Sequence, residues 1–71
     1  MTRQSVNSSN LRSVGYDPVY SVLEVEFNDG GLYQYHAVPE NQYNSLMRAS
    51  SHGEYFDAHI KKGPYRYTKL R

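Results

Sequence analysis

The chain has no cysteine and no tryptophan, three prolines and two methionines in 71 residues. Without cysteine there is no disulfide, no thiolate metal site and no cysteine nucleophile, and small secreted domains of this length usually rely on disulfide staples. A reducing, intracellular setting is therefore expected. Long apolar runs are also missing. No stretch approaches the roughly 20 apolar residues that cross a bilayer, and no charged start leads into an apolar run of secretory length. The reading is a soluble, cytoplasmic chain with no membrane partner. Its length allows one domain, residues 1–71. A domain this small buries only about 60% of its unfolded surface, so its core is compact and its stability modest.

Tyrosine is what the chain has in abundance, with eight of them against two phenylalanines. Four fall in two Tyr-x-Tyr pairs, Tyr33 with Tyr35 and Tyr65 with Tyr67. Charge is segregated along the chain although the net value is only +1. Before Ala58 stand Arg3, Arg12 and Arg48 against Asp17, Glu24, Glu26, Asp29, Glu40, Glu54 and Asp57; from Ala58 onward come Lys61, Lys62, Arg66, Lys69 and Arg71 with no acid. Such asymmetry suits a polyanionic partner, or else a solvated basic end that keeps the chain soluble.

Residues 1–7 are polar apart from the initial Met1 and Val6, and are expected to be loosely ordered or to form an edge segment. "LRSVGYD" reads as a short strand ending in an Asp-Pro turn signal. In "SVLEVEF" Leu23, Val25 and Phe27 alternate with Glu24 and Glu26, the period of a half-buried strand. "NDGG" supplies a tight hairpin, since glycine tolerates positive φ, and "LYQYHAV" returns as the next strand. The period then changes. Pro39 is placed at a first helical position, followed by Tyr43, Leu46, Met47 and Ser50 at helical spacing. Ser51 and Glu54 form a capping box that starts a second helix at about His52. Phe56 and Ile60 share a face of it, Gly63-Pro64 stops it, and "YRYTKL" closes the chain as a strand. The pattern predicts an α+β fold: a small antiparallel β-meander of about three strands, two short helices and a final strand, with the helices in one layer on one sheet face.

"SSNLRSVGYD", "LEVEF" with its glycine turn, "YQYHAVP", and "LMRASSHGEYFDAHI" followed by "YRY" together resemble the KTSC domain, a small bacterial and phage domain. The likeness runs from about Ser8 to Leu70, and the Tyr-x-Tyr signature of that family maps onto Tyr33 and Tyr35. The resemblance implies a domain that occurs alone or at the C-terminal end of some lysyl-tRNA synthetases, a context that suggests RNA binding without fixing a mechanism.

The tyrosines divide by strand face. Tyr33, Tyr35 and Ala37 point to one side, and a continuous core face matches them with Leu23, Val25 and Phe27, with Leu46, Phe56 and Ile60 above. Gln34 and His36 then lie beside Glu24 and Glu26 on a solvent face whose acid repels phosphate. The better nucleic-acid segment is the basic end. There Lys61, Lys62, Tyr65, Arg66, Tyr67, Lys69 and Arg71 interleave π-faces with cations, a pattern that an amphipathic edge strand also produces.

Catalytic and metal constellations do not assemble from the letters. His36, His52 and His59 have no persuasive ligand spacing. Ser50, Ser51, His52 and Asp57 crowd one local segment, and Glu24 or Glu26 with His36 reads more simply as solvated side chains. The expectation is a non-catalytic binding module with no cofactor and no metal, whose partner is RNA or a nucleoprotein. The alternative is a protein-interaction module that pairs through a strand edge, with another protein or with itself.

Overall fold

The alternation of Leu23, Val25 and Phe27 against Glu24 and Glu26 does form a central strand, and the rest of the sheet is laid down on either side of it. A computed structural model describes all 71 residues. The strands are β1 (Arg3–Ser5), β2 (Leu11–Asp17), β3 (Val22–Phe27), β4 (Leu32–Tyr35) and β5 (Tyr67–Lys69). Between β4 and β5 lie α1 (Glu40–Arg48), α2 (His52–Tyr55) and a π-helical turn, Phe56–Lys61, continuous with α2. The sheet order is β1-β2-β3-β4-β5 with every pair antiparallel. The α+β meander with one helical layer is as the pattern predicts, but it has five strands. The addition is β1, whose Arg-Gln-Ser sequence carries no apolar alternation. No helix is long and apolar enough to cross a membrane.

One sheet face packs under the helices. Leu11, Val14, Leu23, Val25, Tyr35, Val38, Leu46, Phe56 and Ile60 form the core, with Phe27 and Tyr33 half-buried against it. Ala37 is not among them. It takes φ 57°, which ends the extended run after Tyr35 and delivers Val38 to the core instead. The Val38 amide donates to the Ser21 carbonyl at 2.9 Å, and Ser21 itself has φ 57°. Two non-glycine residues in the left-handed region, Ser21 and Ala37, thus flank one hydrogen bond at this end of the sheet.

The connections follow local chemistry with small shifts. The Phe27 amide donates to the Gly31 carbonyl at 2.8 Å and the Gly30 amide to the Phe27 carbonyl at 2.9 Å, so the hairpin loop is Asn28–Gly30 with Gly30 at φ 95°. Pro39 is the N-cap of α1, one residue before the expected position, because its fixed φ of −68° suits either place and ψ 151° keeps it extended. Ser50 falls beyond the helix. Ser51 caps α2 by accepting from the Glu54 amide at 3.2 Å, one half of the expected box.

The second sheet face is not the solvated acidic row that the alternation suggests. Arg3, Gly15, Glu24, Gln34 and Thr68 lie in one cross-strand row. A Cβ on Gly15 would come within 2.7 Å of the Thr2 carbonyl oxygen and 3.1 Å of Arg3 Cγ, so the glycine lets Arg3 lie across β2. Its guanidinium donates to Ser13 Oγ and to Glu24, and Gln34 Nε2 donates to Glu24 Oε1 at 2.8 Å. Glu24 is buried as a result. Ser13 Oγ donates to Glu26 Oε1 at 2.9 Å, and Arg71 Nη2 to Glu26 Oε2 at 3.0 Å. Burial raises the pKa of Glu24, but the hydrogen bonds from Gln34 and Arg3 and the charge of Arg3 outweigh it and hold the group below its ordinary value of 4.5.

A carboxyl depressed by folding contributes stability that is complete above its unfolded pKa and is lost as pH falls through the folded value. Stability is therefore expected to decline on acidification below pH 4.5. Arg3→Ala, which leaves Glu24 with an unanswered charge, should cost about 1 to 3 kcal/mol at neutral pH and make that acid decline shallower. Denaturant midpoints measured across the acid range check both statements.

Candidate functional site

The helical segments bury Tyr35 of β4 under Phe56 but leave Tyr33 half-buried and Tyr67 of β5 exposed on the same sheet face. Register places Tyr35 opposite Tyr67 and Tyr33 opposite Lys69. Because side chains alternate, these four all rise on the core face. The result is a cleft of about 800 Å³, walled on one side by the sheet and on the other by Phe56, Asp57 and Lys61 of the π-helical turn. Its end is closed by Asn10 and by Asp29–Gly31 of the β3–β4 loop. π-Helical turns recur at functional sites, and this one buries Phe56 and Ile60 while Asp57 and Lys61 reach the cleft.

The floor is a connected group of rings. Phe27 meets Tyr33 and Phe56 edge-on, each at 5.4 Å between centroids, and Phe56 meets Tyr35 the same way at 5.4 Å. Tyr33 and Tyr35 lie near-parallel at 6.4 Å, and Tyr67 leans on both at 5.7 Å. Burial is graded across the group. Tyr35 is 5% exposed, Tyr33 is half-buried, and Tyr67 is 61% exposed. The same tyrosines therefore serve as core at one end and as an open platform at the other. No buried side-chain nitrogen or oxygen lacks a partner.

Charge at the rim is mixed. Lys61 and Lys62 approach Asp57 at 4.0 and 3.2 Å. Arg71 is tied to Glu26 and, through Nε, to the Gly30 carbonyl at 3.1 Å. Lys69 Nζ lies 5.8 Å from the Tyr33 ring centroid and has no carboxylate partner. Of the residues expected at a nucleic-acid surface, Lys61, Tyr67, Lys69 and Arg71 gather at the cleft. The others do not. Tyr65 packs against the core and accepts from Gln42 Nε2 at 3.3 Å, Lys62 is exposed beside Asp57, and the exposed Arg66 offers its carbonyl to the His36 amide at 2.9 Å. Phe27, Asp29, Tyr33, Tyr35, Phe56 and Asp57 belong to the cleft although the sequence reading placed them elsewhere. Only the Tyr-x-Tyr repeat hinted at it; the pairing of Tyr35 with Tyr67 spans the helices and leaves no local signal. The histidines are dispersed: His36 bonds Thr68, His52 bonds the Leu46 carbonyl, and His59 packs on Tyr55.

A sequence model of the KTSC domain matches residues 7–67. The chain belongs to the KTSC domain family. A KTSC domain protein from Yersinia pestis, known from its crystal structure, is 43% identical and superposes with a TM-score of 0.93 over 99% of this chain and 97% of that one. An uncharacterized protein of Stutzerimonas stutzeri is 46% identical over 70 residues, 99% of both chains. A lysine-tRNA ligase of Nostoc sp. is 36% identical over 62 residues, which are 87% of this KTSC domain and 11% of the ligase.

Within this KTSC domain, burial pushes the Tyr35 phenol up to about 12, with Tyr33 and Tyr67 adding to the effect. A phenol raised by folding leaves stability intact below its unfolded pKa of 10.0 and reduces it as pH rises from there to about 12. Tyr35→Phe should remove this part of the alkaline loss, read as a smaller drop in denaturant midpoint above pH 10.0 than in the parent domain.

Proposed function

We propose that this KTSC domain is a non-catalytic module that binds single-stranded RNA, seating bases on the aromatic cleft and phosphates at its cationic rim. The observation that carries the reading is Tyr67, an exposed ring leaning on Tyr33 and Tyr35 beside the unpaired cation of Lys69. Bases stack on such rings with little regard to sequence, and nearby cations track the backbone. The related segment within a lysine-tRNA ligase, an enzyme whose named substrate is an RNA, supports the same reading. The cytoplasm is where such a ligand would be met.

Because Lys61, Lys62 and Arg71 already share carboxylates, fewer phosphates are engaged than the count of basic residues suggests. With two or three contacts, the log–log dependence of affinity on salt should have a slope of about −1.5 to −2, using roughly 0.7 per single-strand contact. Tyr67→Ala should weaken binding by about 1 to 3 kcal/mol with little change in that slope, while Lys69→Glu should weaken it for every sequence tested. Fluorescence anisotropy with short RNAs across a salt series measures all three. Undetectable binding at low salt would end this reading.

A second reading rests on the outer edge of β5. All three residues of Tyr67–Lys69 are exposed and the strand is paired on one side only, with Leu70 48% exposed beside it. A strand edge of this kind accepts another chain, a protein partner or a second copy, through backbone hydrogen bonds. Light scattering across concentration should then show self-association, or lysate capture should yield a complex that survives nuclease; a monomer with neither outcome rejects it.

A further inference from the structure

The open side of β5 presents backbone groups beside a free cation and an exposed ring. Its orientation is set by the pairing with β4. The His36 amide donates to the Arg66 carbonyl at 2.9 Å and the Leu70 amide to the Leu32 carbonyl at 2.7 Å, so the even-numbered residues of this segment turn their backbone groups toward β4. Inward and outward residues alternate in an antiparallel ladder, which leaves the amides and carbonyls of Tyr67 and Lys69 facing out. The side chains of these two share the cleft face, Tyr67 with its ring 61% exposed and Lys69 with no carboxylate partner. Thr68, bonded to His36 at 2.9 Å, lies on the other face, flanked by exposed Arg66 and Leu70.

We propose that the chain forms a two-fold dimer through the outer edge of β5, in the register that sets Thr68 on the axis and Tyr67 beside Lys69 of the second copy. This deepens the edge-pairing reading and rests on it. Outward-facing residues must meet each other, and a two-fold axis allows three ways: Tyr67 on itself, Lys69 on itself, or the two on each other. The first leaves Lys69 opposite Tyr65, which packs on the core outside the strand. The second sets ammonium against ammonium, the repulsion by which an edge lysine ordinarily blocks pairing. The third pairs every outward amide and carbonyl of β5 and gives each ammonium a ring. In it Lys69, already 5.8 Å from the Tyr33 ring centroid of its own chain, also meets Tyr67 of the second copy. On the other face Thr68 meets Thr68, and Leu70, 48% exposed, is covered by the aliphatic stem of Arg66. The edge is complementary to itself, which commits it to a second copy. The dimer also runs the two clefts together, because Tyr67 stands at the open boundary of each and Lys69 of the second copy becomes part of its wall. A contact of three residues per strand is well short of a standard interface, so the dimer is a transient one.

The test uses the whole chain without RNA. Sedimentation velocity up to millimolar concentration should show a monomer–dimer equilibrium. Because the chain has no cysteine, single cysteines report the register. Under a mild oxidant Thr68→Cys should link into a covalent dimer, since residues facing each other at a non-hydrogen-bonded pair stand about 4.5 Å apart between Cα atoms, within the reach of a disulfide. Tyr67→Cys and Lys69→Cys should link far more slowly, their copies lying diagonally at about 7–8 Å. Tyr67→Lys, which sets like charges opposite, should weaken the dimer about tenfold, whereas Tyr67→Glu, which removes the same ring but answers Lys69, should hold it near the parent level. Thermal transitions establish that the variants remain folded, and the sedimentation of the parent chain decides independently of them. A monomer at every concentration overturns the inference; a nuclease-resistant complex from lysate in that case leaves the edge reading standing with a different partner. A dimer that links faster through Tyr67→Cys or Lys69→Cys, or that responds alike to both charged variants, overturns the register and leaves edge pairing intact. Association that grows beyond two copies overturns it as well, because a closed two-fold contact stops at the dimer.

Discussion

The helical layer is too short for the sheet it covers, and most of the functional geometry depends on that mismatch. Five strands at about 4.8 Å spacing present a face about 20 Å wide. Above it lie helical segments of nine, four and six residues. Leu46, Phe56 and Ile60, with Tyr43, Met47 and Tyr55 packed beside them, close the core as far as Tyr35 of β4; beyond it Tyr33 is half-buried and Tyr67 of β5 is exposed. An open aliphatic face there would be an aggregation hazard; tyrosine is amphipathic and tolerates the boundary, with its ring packed and its hydroxyl wet. Tyr33, Tyr35 and Tyr67 stand where that coverage runs out, and the cleft is the product.

The opposite face solves a different problem with the same economy of length. It has no helices, so its glutamates are enclosed by the two ends of the chain: Arg3 from β1 crosses Gly15 to Glu24, and Arg71 beyond β5 reaches Glu26. The charge segregation along the sequence is largely undone in space. The terminal cations find carboxylates from earlier strands or from the π-helical turn, and the free positive charge contracts to Lys69 and Arg66 with the exposed Arg12 and Arg48.

What the sequence made legible was what depends on neighbours in the chain. The alternation in β3, the glycine hairpin and the serine cap of α2 each have a local cause, and each is found within a residue or two of its expected place. The face assignment of Tyr33 and Tyr35 with Leu23 and Val25 held for the same reason, since a strand fixes which side chains share a side. What stayed hidden depends on distant partners. Three polar residues become β1 because Arg3 has a buried carboxylate to meet, Ala37 leaves the expected row because the backbone turns to pair Val38 with Ser21, and the cleft exists only once β5 docks on β4. Seven candidate nucleic-acid residues in one segment could be named from composition; which of them share a surface is set by a pairing more than thirty positions long.

The light attachment of β5 also bears on local stability. Its three residues are exposed and attach to β4 through backbone bonds, extended by Leu70 donating to the Leu32 carbonyl at 2.7 Å. An edge held this lightly belongs to the part of a domain that opens first, so amide exchange in β4 and β5 reports an opening that leaves β2 and β3 closed. A ligand gripping Tyr67 together with the π-helical turn would join the edge strand to the body of the domain and act as a clasp on the sheet. Occupancy would then be visible as slowed exchange along β5, a backbone signal of binding at a site built from side chains.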